Sequence, residues 1–145
     1  MIYAWTLLAV VLLGGTAFFL SKKLDRPVDL MFFGSCFLLS APVELWSIAS
    51  TDWSYQPKFF GIKTSGMFAI GILAAQPVLH IALGYGFLTL RRWALYLALF
   101  YLSDTLTSTV LGFVTEGYGR IRTIFLFVLL PFLVYLILRR SKFTR

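Results

Sequence analysis

The sequence predicts an all-α integral membrane protein, a helical bundle of about five transmembrane helices in a single domain over residues 1–145. Of the 145 residues, 59% are hydrophobic and 13% are charged, whereas a soluble domain has about 25% charged residues. The apolar residues also form runs close to the ~20 residues that cross a bilayer. They lack the alternation of β-barrel strands. An ordinary water-soluble domain and a disordered chain are therefore excluded.

Five apolar runs give the predicted spans in order. They cover residues 2–20, 30–50, 66–90, 93–114 and 123–138. Little more than Arg91 and Arg92 joins the third run to the fourth, which predicts a tight antiparallel hairpin of helices. The one sizeable connection runs from Thr51 to Ser65. Its aromatic side chains have two interpretations, as the lining of a cavity mouth or as an interfacial segment at the lipid headgroups.

Basic residues predict the orientation of the bundle, and the net charge is +7. The first and third connections and the C-terminal segment hold nine Lys and Arg, against four in the second and fourth connections. The nine are Lys22, Lys23, Arg26, Arg91, Arg92, Arg139, Arg140, Lys142 and Arg145, and the four are Lys58, Lys63, Arg120 and Arg122. The positive-inside rule then predicts an outside N-terminus and a cytoplasmic C-terminus. The expected location is the plasma membrane of a prokaryote, and nucleic acid is not an expected partner because the clusters separate apolar runs.

Ionisable groups within the apolar runs are the candidate functional residues, because each costs about 2.5–3.5 kcal/mol near the bilayer centre. The predicted intramembrane polar site consists of Glu44, Gln76, His80 and Asp104. A rise of 1.5 Å per residue places the last three within roughly 4 Å of the midplane, and Glu44 about 7 Å toward the outside. The other 17 of the 19 formally charged side chains are assigned to connections, ends or interfaces.

Helical spacing puts these candidates on polar stripes that are expected to face one another. The stripes are Cys36, Ser40, Glu44 and Ser47 on the second span, Gln76, His80 and Gly84 on the third, and Tyr101, Asp104, Thr107 and Ser108 on the fourth. Such groups either hold helices together through hydrogen bonds worth ~0.6 kcal/mol or form a site. Pro77 and Pro42 favour a site slightly, because each frees backbone groups beside a polar side chain. The fifth span, with Tyr135 as its polar group, is expected to face lipid on most sides.

No cofactor, metal site or assigned catalytic residue is predicted. One His, one Cys and two acids in the apolar runs match no zinc or haem spacing. Glu44-Leu45-Trp46, Trp53-Ser54-Tyr55 and Gly61-Ile62 together resemble the acid-and-tryptophan stretch of membrane carotenoid cyclases. The paired acids of that family are replaced further on by Gln76-Pro77. The resemblance implies only that an isoprenoid-modifying enzyme belongs among the functions considered.

Three functions are consistent with the sequence. A non-enzymatic accessory or scaffold subunit is favoured, with the lipid bilayer, other membrane subunits or a second copy of the chain as partners. A small transporter or proton-handling protein would use His80, which titrates near neutrality, and would need a water-filled path to both faces. A lipid- or isoprenoid-modifying enzyme would use Glu44 or Asp104 as an acid at the end of an apolar cavity.

Overall fold

A computed structural model describes residues 2–24, 27–50 and 56–144, and five α-helices make up most of this part of the chain. They are α1 (Ile2–Leu24), α2 (Val28–Ala49), α3 (Gly66–Leu88), α4 (Arg92–Glu116) and α5 (Arg120–Leu138), followed by a short 3-10 helix at Arg140–Lys142. The five helices coincide with the five apolar runs, so the all-helical prediction is confirmed. By length and composition, α2, α3 and α4 can each cross a membrane.

The second connection contains a β-hairpin that the sequence does not predict. Strands β1 (Lys58–Phe59) and β2 (Ile62–Lys63) pair antiparallel, with Lys58 opposite Lys63. The turn residues Phe60 and Gly61 have φ of +46° and +82°. Positive φ at both turn residues is the pattern of a type I′ hairpin turn, which normally requires Asn or Gly. Trp53 and Tyr55, which belong to the same aromatic group of this connection as Phe59 and Phe60, lie outside the described residues.

Among the described residues, helices α2 and α3 form the most extensive helix–helix contact, and glycines lie within it. A Cβ atom added to Gly84 would lie 2.5 Å from Leu38 Cγ and 2.9 Å from the Gly34 carbonyl oxygen. Small residues allow two membrane helices to approach this closely. Leu83 and Phe87 are fully buried beside this contact, so it forms part of the apolar core.

Helix α5 packs mainly against α4 and also contacts α2 through aromatic rings. The Phe33 ring on α2 lies 4.7 Å from the Phe132 ring on α5. Helix α3 ends at Leu88 and α4 begins at Arg92, which gives the short turn expected there. The β-hairpin lies at one end of the bundle, called the hairpin end below. The first turn of α2 and the last turn of α5 lie at the opposite end.

Candidate ligand-binding site

Three of the four predicted site residues line one cavity, called the polar cavity. Glu44 from α2, Gln76 from α3 and Asp104 from α4 line this space of about 850 Å³, together with Tyr101. The other lining residues are Ser47, Ile48, Gln56, Pro57, Lys58, Lys63, Leu73, Thr105, Ser108, Glu116 and Phe125. They come from the hairpin and from the helix segments next to it. The polar cavity therefore occupies the half of the bundle at the hairpin end.

Asp104 positions the β-hairpin over the polar cavity. Its Oδ1 accepts a hydrogen bond of 2.6 Å from the Phe60 backbone N–H, and Ser108 Oγ accepts one of 2.8 Å from the Gly61 N–H. These amides belong to the two turn residues with positive φ, so side chains of α4 stabilise a backbone conformation that is uncommon for phenylalanine. A carboxylate has about four acceptor positions. The hairpin amide takes one of them, and Asp104 keeps capacity for a ligand.

Glu116 pairs with three basic residues at the hairpin end. Its carboxylate lies 2.7 Å from Lys58 Nζ and 3.6 Å from Lys63 Nζ, and it also pairs with Arg122 at the start of α5. The two lysines that line the polar cavity are thus held by one acid. Within the described residues, no Lys, Arg or His nitrogen lies within 4.0 Å of a carboxylate oxygen of Glu44 or Asp104. The polar cavity therefore contains two carboxylates without an ion-pair partner from this part of the chain.

His80 lies outside the polar cavity and joins three helices. It is 6% exposed, with Nδ1 2.8 Å from Ser40 Oγ on α2 and Nε2 3.1 Å from the Tyr101 hydroxyl on α4. Ser40 donates its hydroxyl proton to the Phe37 carbonyl oxygen at 2.7 Å. Nδ1 of His80 must then donate to Ser40, and Nε2 must accept from Tyr101. A neutral imidazole satisfies both of these hydrogen bonds of His80. The side chain therefore links α2 to α4 by hydrogen bonds.

Tyr101 separates the polar cavity from an apolar groove deeper in the bundle. That groove has a volume of about 650 Å³ and is lined by residues of all five helices. Ser40 and His80 also line it, as does Tyr135. Tyr101 is the residue common to the described linings of the groove and the polar cavity. Beyond Tyr101, therefore, the lining changes from carboxylate and amide groups to mainly aromatic and aliphatic groups.

An apolar slot between α3 and α4 adjoins the polar cavity on its other side. It has a volume of about 450 Å³ and shares Lys58, Gln76, Tyr101 and Asp104 with the polar cavity. The rest of its lining is apolar: Phe59, Ile72, Ala75, Val78, Leu79, Ala82 and Phe100. Val78 is 65% exposed and Phe100 is 53% exposed, so the slot reaches the outer surface of the bundle. The polar cavity and the apolar slot thus meet at these four shared residues.

A buried ion cluster at the opposite end is absent from the sequence predictions. Asp29, the second residue of α2, is 0% exposed, although it belongs to the charged residues predicted to lie in connections, ends or interfaces. Its carboxylate lies 2.7 Å from Arg139 Nη2 and accepts a 2.5 Å hydrogen bond from the Tyr135 hydroxyl. Arg139 also donates to Ser21 on α1 at 2.8 Å. The cluster joins α1, α2 and the end of α5, and it includes the hydroxyl of Tyr135, the polar group of the fifth predicted span.

The sequence contains one signal for this cluster. Asp29 is an acid beside a predicted cytoplasmic surface dominated by Lys and Arg, and a buried carboxylate requires a cation. Hydrogen bonds to Asp29 raise the pKa of Arg139 above its already high usual value. The guanidinium therefore stays charged, and the pair is ionic in the folded protein.

The acceptor oxygens of the side chains in the polar cavity can bind a ligand that donates hydrogen bonds or carries positive charge. Carboxylates of Glu44 and Asp104 and the Gln76 amide face one space, with hydroxyls of Tyr101 and Ser108 beside them. No family model, curated protein or solved structure matches this chain. The resemblance of residues 44–62 to carotenoid cyclases therefore has no support from a family match, and the function is inferred from the geometry.

Proposed function

We propose that this chain is a five-span membrane protein that binds an organic cation in the polar cavity and does not transform it. The N-terminus lies outside and the C-terminus in the cytoplasm, in the plasma membrane of a prokaryote. One observation carries the proposal. Glu44 and Asp104 line the same cavity without a described cation within 4.0 Å, while Glu116 holds the two nearby lysines. Charged groups away from bulk water are costly unless paired, and a bound cation supplies the missing charge.

The adjoining apolar slot narrows the class of cation. Asp104 and Gln76 belong to both linings, so a molecule with its positive charge at Asp104 can place an apolar group between α3 and α4. Pockets that bind organic molecules commonly combine apolar walls with a few polar groups that fix orientation. An amphipathic cation fits this combination better than an inorganic ion does, since the latter would leave the slot unused.

Two observations favour binding without chemistry over an enzyme and over a transporter, and the first is the position of His80. Both of its ring nitrogens contact hydroxyl groups, those of Ser40 and Tyr101. An enzyme would need an acid–base or nucleophile–base pair in hydrogen-bond reach, and His80 is not placed to form one with Asp104. Transport would need polar lining toward both faces, whereas the residues beyond Tyr101 are mainly apolar.

A matched pair of probes tests the proposal. Tetraphenylphosphonium and tetraphenylborate have similar size and shape and opposite charge, and their binding to the protein in lipid nanodiscs is measured by equilibrium dialysis. We expect Asp104→Asn to weaken phosphonium binding about tenfold, the effect of losing roughly 1.4 kcal/mol, and to leave borate partitioning unchanged. The amide can still accept the Phe60 N–H, so the hairpin keeps its anchor. Glu44→Gln should act in the same direction.

Asp25→Asn is the control for net charge, since this residue lies in the connection between α1 and α2. It removes one negative charge from the sequence without replacing any of the residues that line the polar cavity. If Asp104→Asn and Glu44→Gln change phosphonium binding no more than Asp25→Asn does, the polar cavity is not a cation site. The proposal is then wrong.

An accessory or scaffold subunit is the second candidate, and the Ser40–His80–Tyr101 hydrogen bonds favour it. They join α2, α3 and α4 as structural polar contacts do in membrane bundles. With this function, the amide variants of Glu44 and Asp104 change stability and leave cation binding untouched. Co-purification of further membrane subunits, or of a second copy of the chain, would then be the expected result.

A further inference from the structure

A groove between α1 and α5 at the end opposite the hairpin has the form of a lipid site. This α1–α5 groove has a volume of about 590 Å³. Its lining residues are Phe18, Lys22, Leu130, Pro131, Val134, Tyr135, Leu138 and Arg139. The span from Leu130 to Leu138 covers about 12 Å along α5. The groove therefore has an elongated apolar wall that ends at two basic side chains.

The apolar wall is open to the surroundings of the bundle. Leu130 is 50% exposed, Val134 is 49% exposed and Leu138 is 75% exposed. These three residues recur every four positions and therefore follow one face of α5. A hydrocarbon chain lying along this face would cover a row of aliphatic side chains.

The basic end of the groove is organised around one aromatic ring. Lys22 Nζ lies 5.0 Å from the centroid of the Phe18 ring, and Arg139 Cζ lies 5.8 Å from the same centroid. Both distances are in the range of cation–π contacts. Asp29 neutralises Arg139, whereas Lys22 has no acid of the described residues within 4.0 Å. The charge that remains at this end is therefore positive.

The surrounding surface adds to that charge. The helix ends and connections at this end of the bundle carry seven basic residues: Lys22, Lys23, Arg91, Arg92, Arg139, Arg140 and Lys142. Asp29 is the acid at this end among the described residues, and Arg139 already pairs with it. Basic pockets between transmembrane helices are typical binding places for anionic lipid headgroups.

We infer that the α1–α5 groove binds one anionic phospholipid, with an acyl chain along α5 and the phosphate at Lys22 and Arg139. A water-soluble phosphate ester would use the cations and leave the apolar wall uncovered. A zwitterionic lipid would bring a second positive charge next to Lys22. The anionic lipid is the occupant that matches both parts of the groove. This inference is independent of the polar cavity, whose lining shares no residue with the groove.

Native mass spectrometry of the full chain tests the inference, using phosphatidylglycerol and phosphatidylcholine with identical acyl chains. We expect one retained phosphatidylglycerol per chain. Lys22→Gln should weaken its binding about fivefold, the typical effect of one basic residue near a membrane surface. Lys23→Gln is the matched control, because Lys23 is the exposed neighbour on α1 and is not part of the groove lining. It should change binding less than about twofold.

A second variant tests the apolar wall without changing charge. Val134→Trp fills the α1–α5 groove from an exposed position, so the fold is retained while the acyl chain loses its place, and retention of phosphatidylglycerol should fall. The inference is overturned if Lys22→Gln and Lys23→Gln have equal effects, if phosphatidylcholine is retained equally well, or if Val134→Trp has no effect. Displacement of the lipid by millimolar glycerol phosphate would also overturn it, because the cations alone would then define the site.

Discussion

Replacing Arg139 with Gln leaves the Asp29 carboxylate without its cation in a place that water does not reach. Asp29 is 0% exposed and lies 2.7 Å from the Arg139 guanidinium. Removing one partner of a buried ion pair typically costs about 3–5 kcal/mol, because the remaining charge is left uncompensated. We expect Arg139→Gln to lower the free energy of unfolding by about that amount.

Replacing the other partner, Asp29, with Asn should lower the free energy of unfolding by less. In Asp29→Asn the new amide oxygen can still accept the Tyr135 hydroxyl, while the side chain of Arg139 is already 18% exposed at the end of α5. Its guanidinium can extend toward water or headgroups. A cost of about 1.5 kcal/mol is expected, as for the loss of a charged hydrogen bond. The double variant should then be more stable than additivity predicts, by at least about 2 kcal/mol.

The assay is unfolding in mixed micelles with increasing dodecyl sulfate, followed by the fluorescence of the four tryptophans. Arg140→Gln is the control, because Arg140 is the exposed neighbour and its loss changes net charge equally. It should alter the free energy of unfolding by less than about 0.5 kcal/mol. If Arg139→Gln is no more costly than this control, or if the double variant is additive, the ion pair does not stabilise the bundle and the reasoning fails.

Two other features give predictions that can be checked directly. Gly84→Ala should lower the free energy of unfolding by about 1–3 kcal/mol through overpacking against α2. Gly71→Ala, where an added Cβ has nothing within 4 Å, should leave the free energy of unfolding unchanged or raise it by up to about 1 kcal/mol. Equal effects of the two variants would contradict the close α2–α3 contact. In a Cys36→Ala background, Lys63→Cys should react with an impermeant maleimide added to intact cells, and Ser141→Cys only after permeabilisation. The reverse pattern would invert the proposed orientation.

The helices were predictable because the sequence leaves the backbone few alternatives. A run of about 20 apolar residues in lipid must satisfy its backbone hydrogen bonds internally, and a helix does so. The second run, predicted over 30–50, is helical as Val28–Ala49. The β-hairpin was not predictable in this way, because Phe60 carries no local signal for positive φ. Its conformation depends on Asp104 and Ser108, which lie 44 and 47 residues further along the chain.

The candidate site was predictable only to the level of helix faces. Periodicity puts Gln76 and His80 on the same face of α3 and at similar depth, and it cannot separate them. The separation arises from side-chain hydrogen bonding: the Tyr101 hydroxyl contacts His80, whereas Gln76 lines the polar cavity. Asp29 escaped prediction for another reason. The orientation is predicted by counting basic residues, to which acids contribute little. Asp29 was therefore not used in the prediction.

The acids at the two ends of the bundle differ in whether a basic side chain pairs with them, and this contrast favours a bound cation. At one end Asp29 is neutralised by Arg139 from a helix more than 100 residues away in sequence. At the hairpin end Lys58 lines the same cavity as Asp104, yet its ammonium group lies 2.7 Å from a carboxylate oxygen of Glu116. Glu116 thus holds Lys58 in an ion pair, and Glu44 and Asp104 keep no ion-pair partner among the described residues. An arrangement that served packing alone would gain from pairing Lys58 with Asp104, whereas the observed pairing leaves both inner carboxylates available to the cation that we propose.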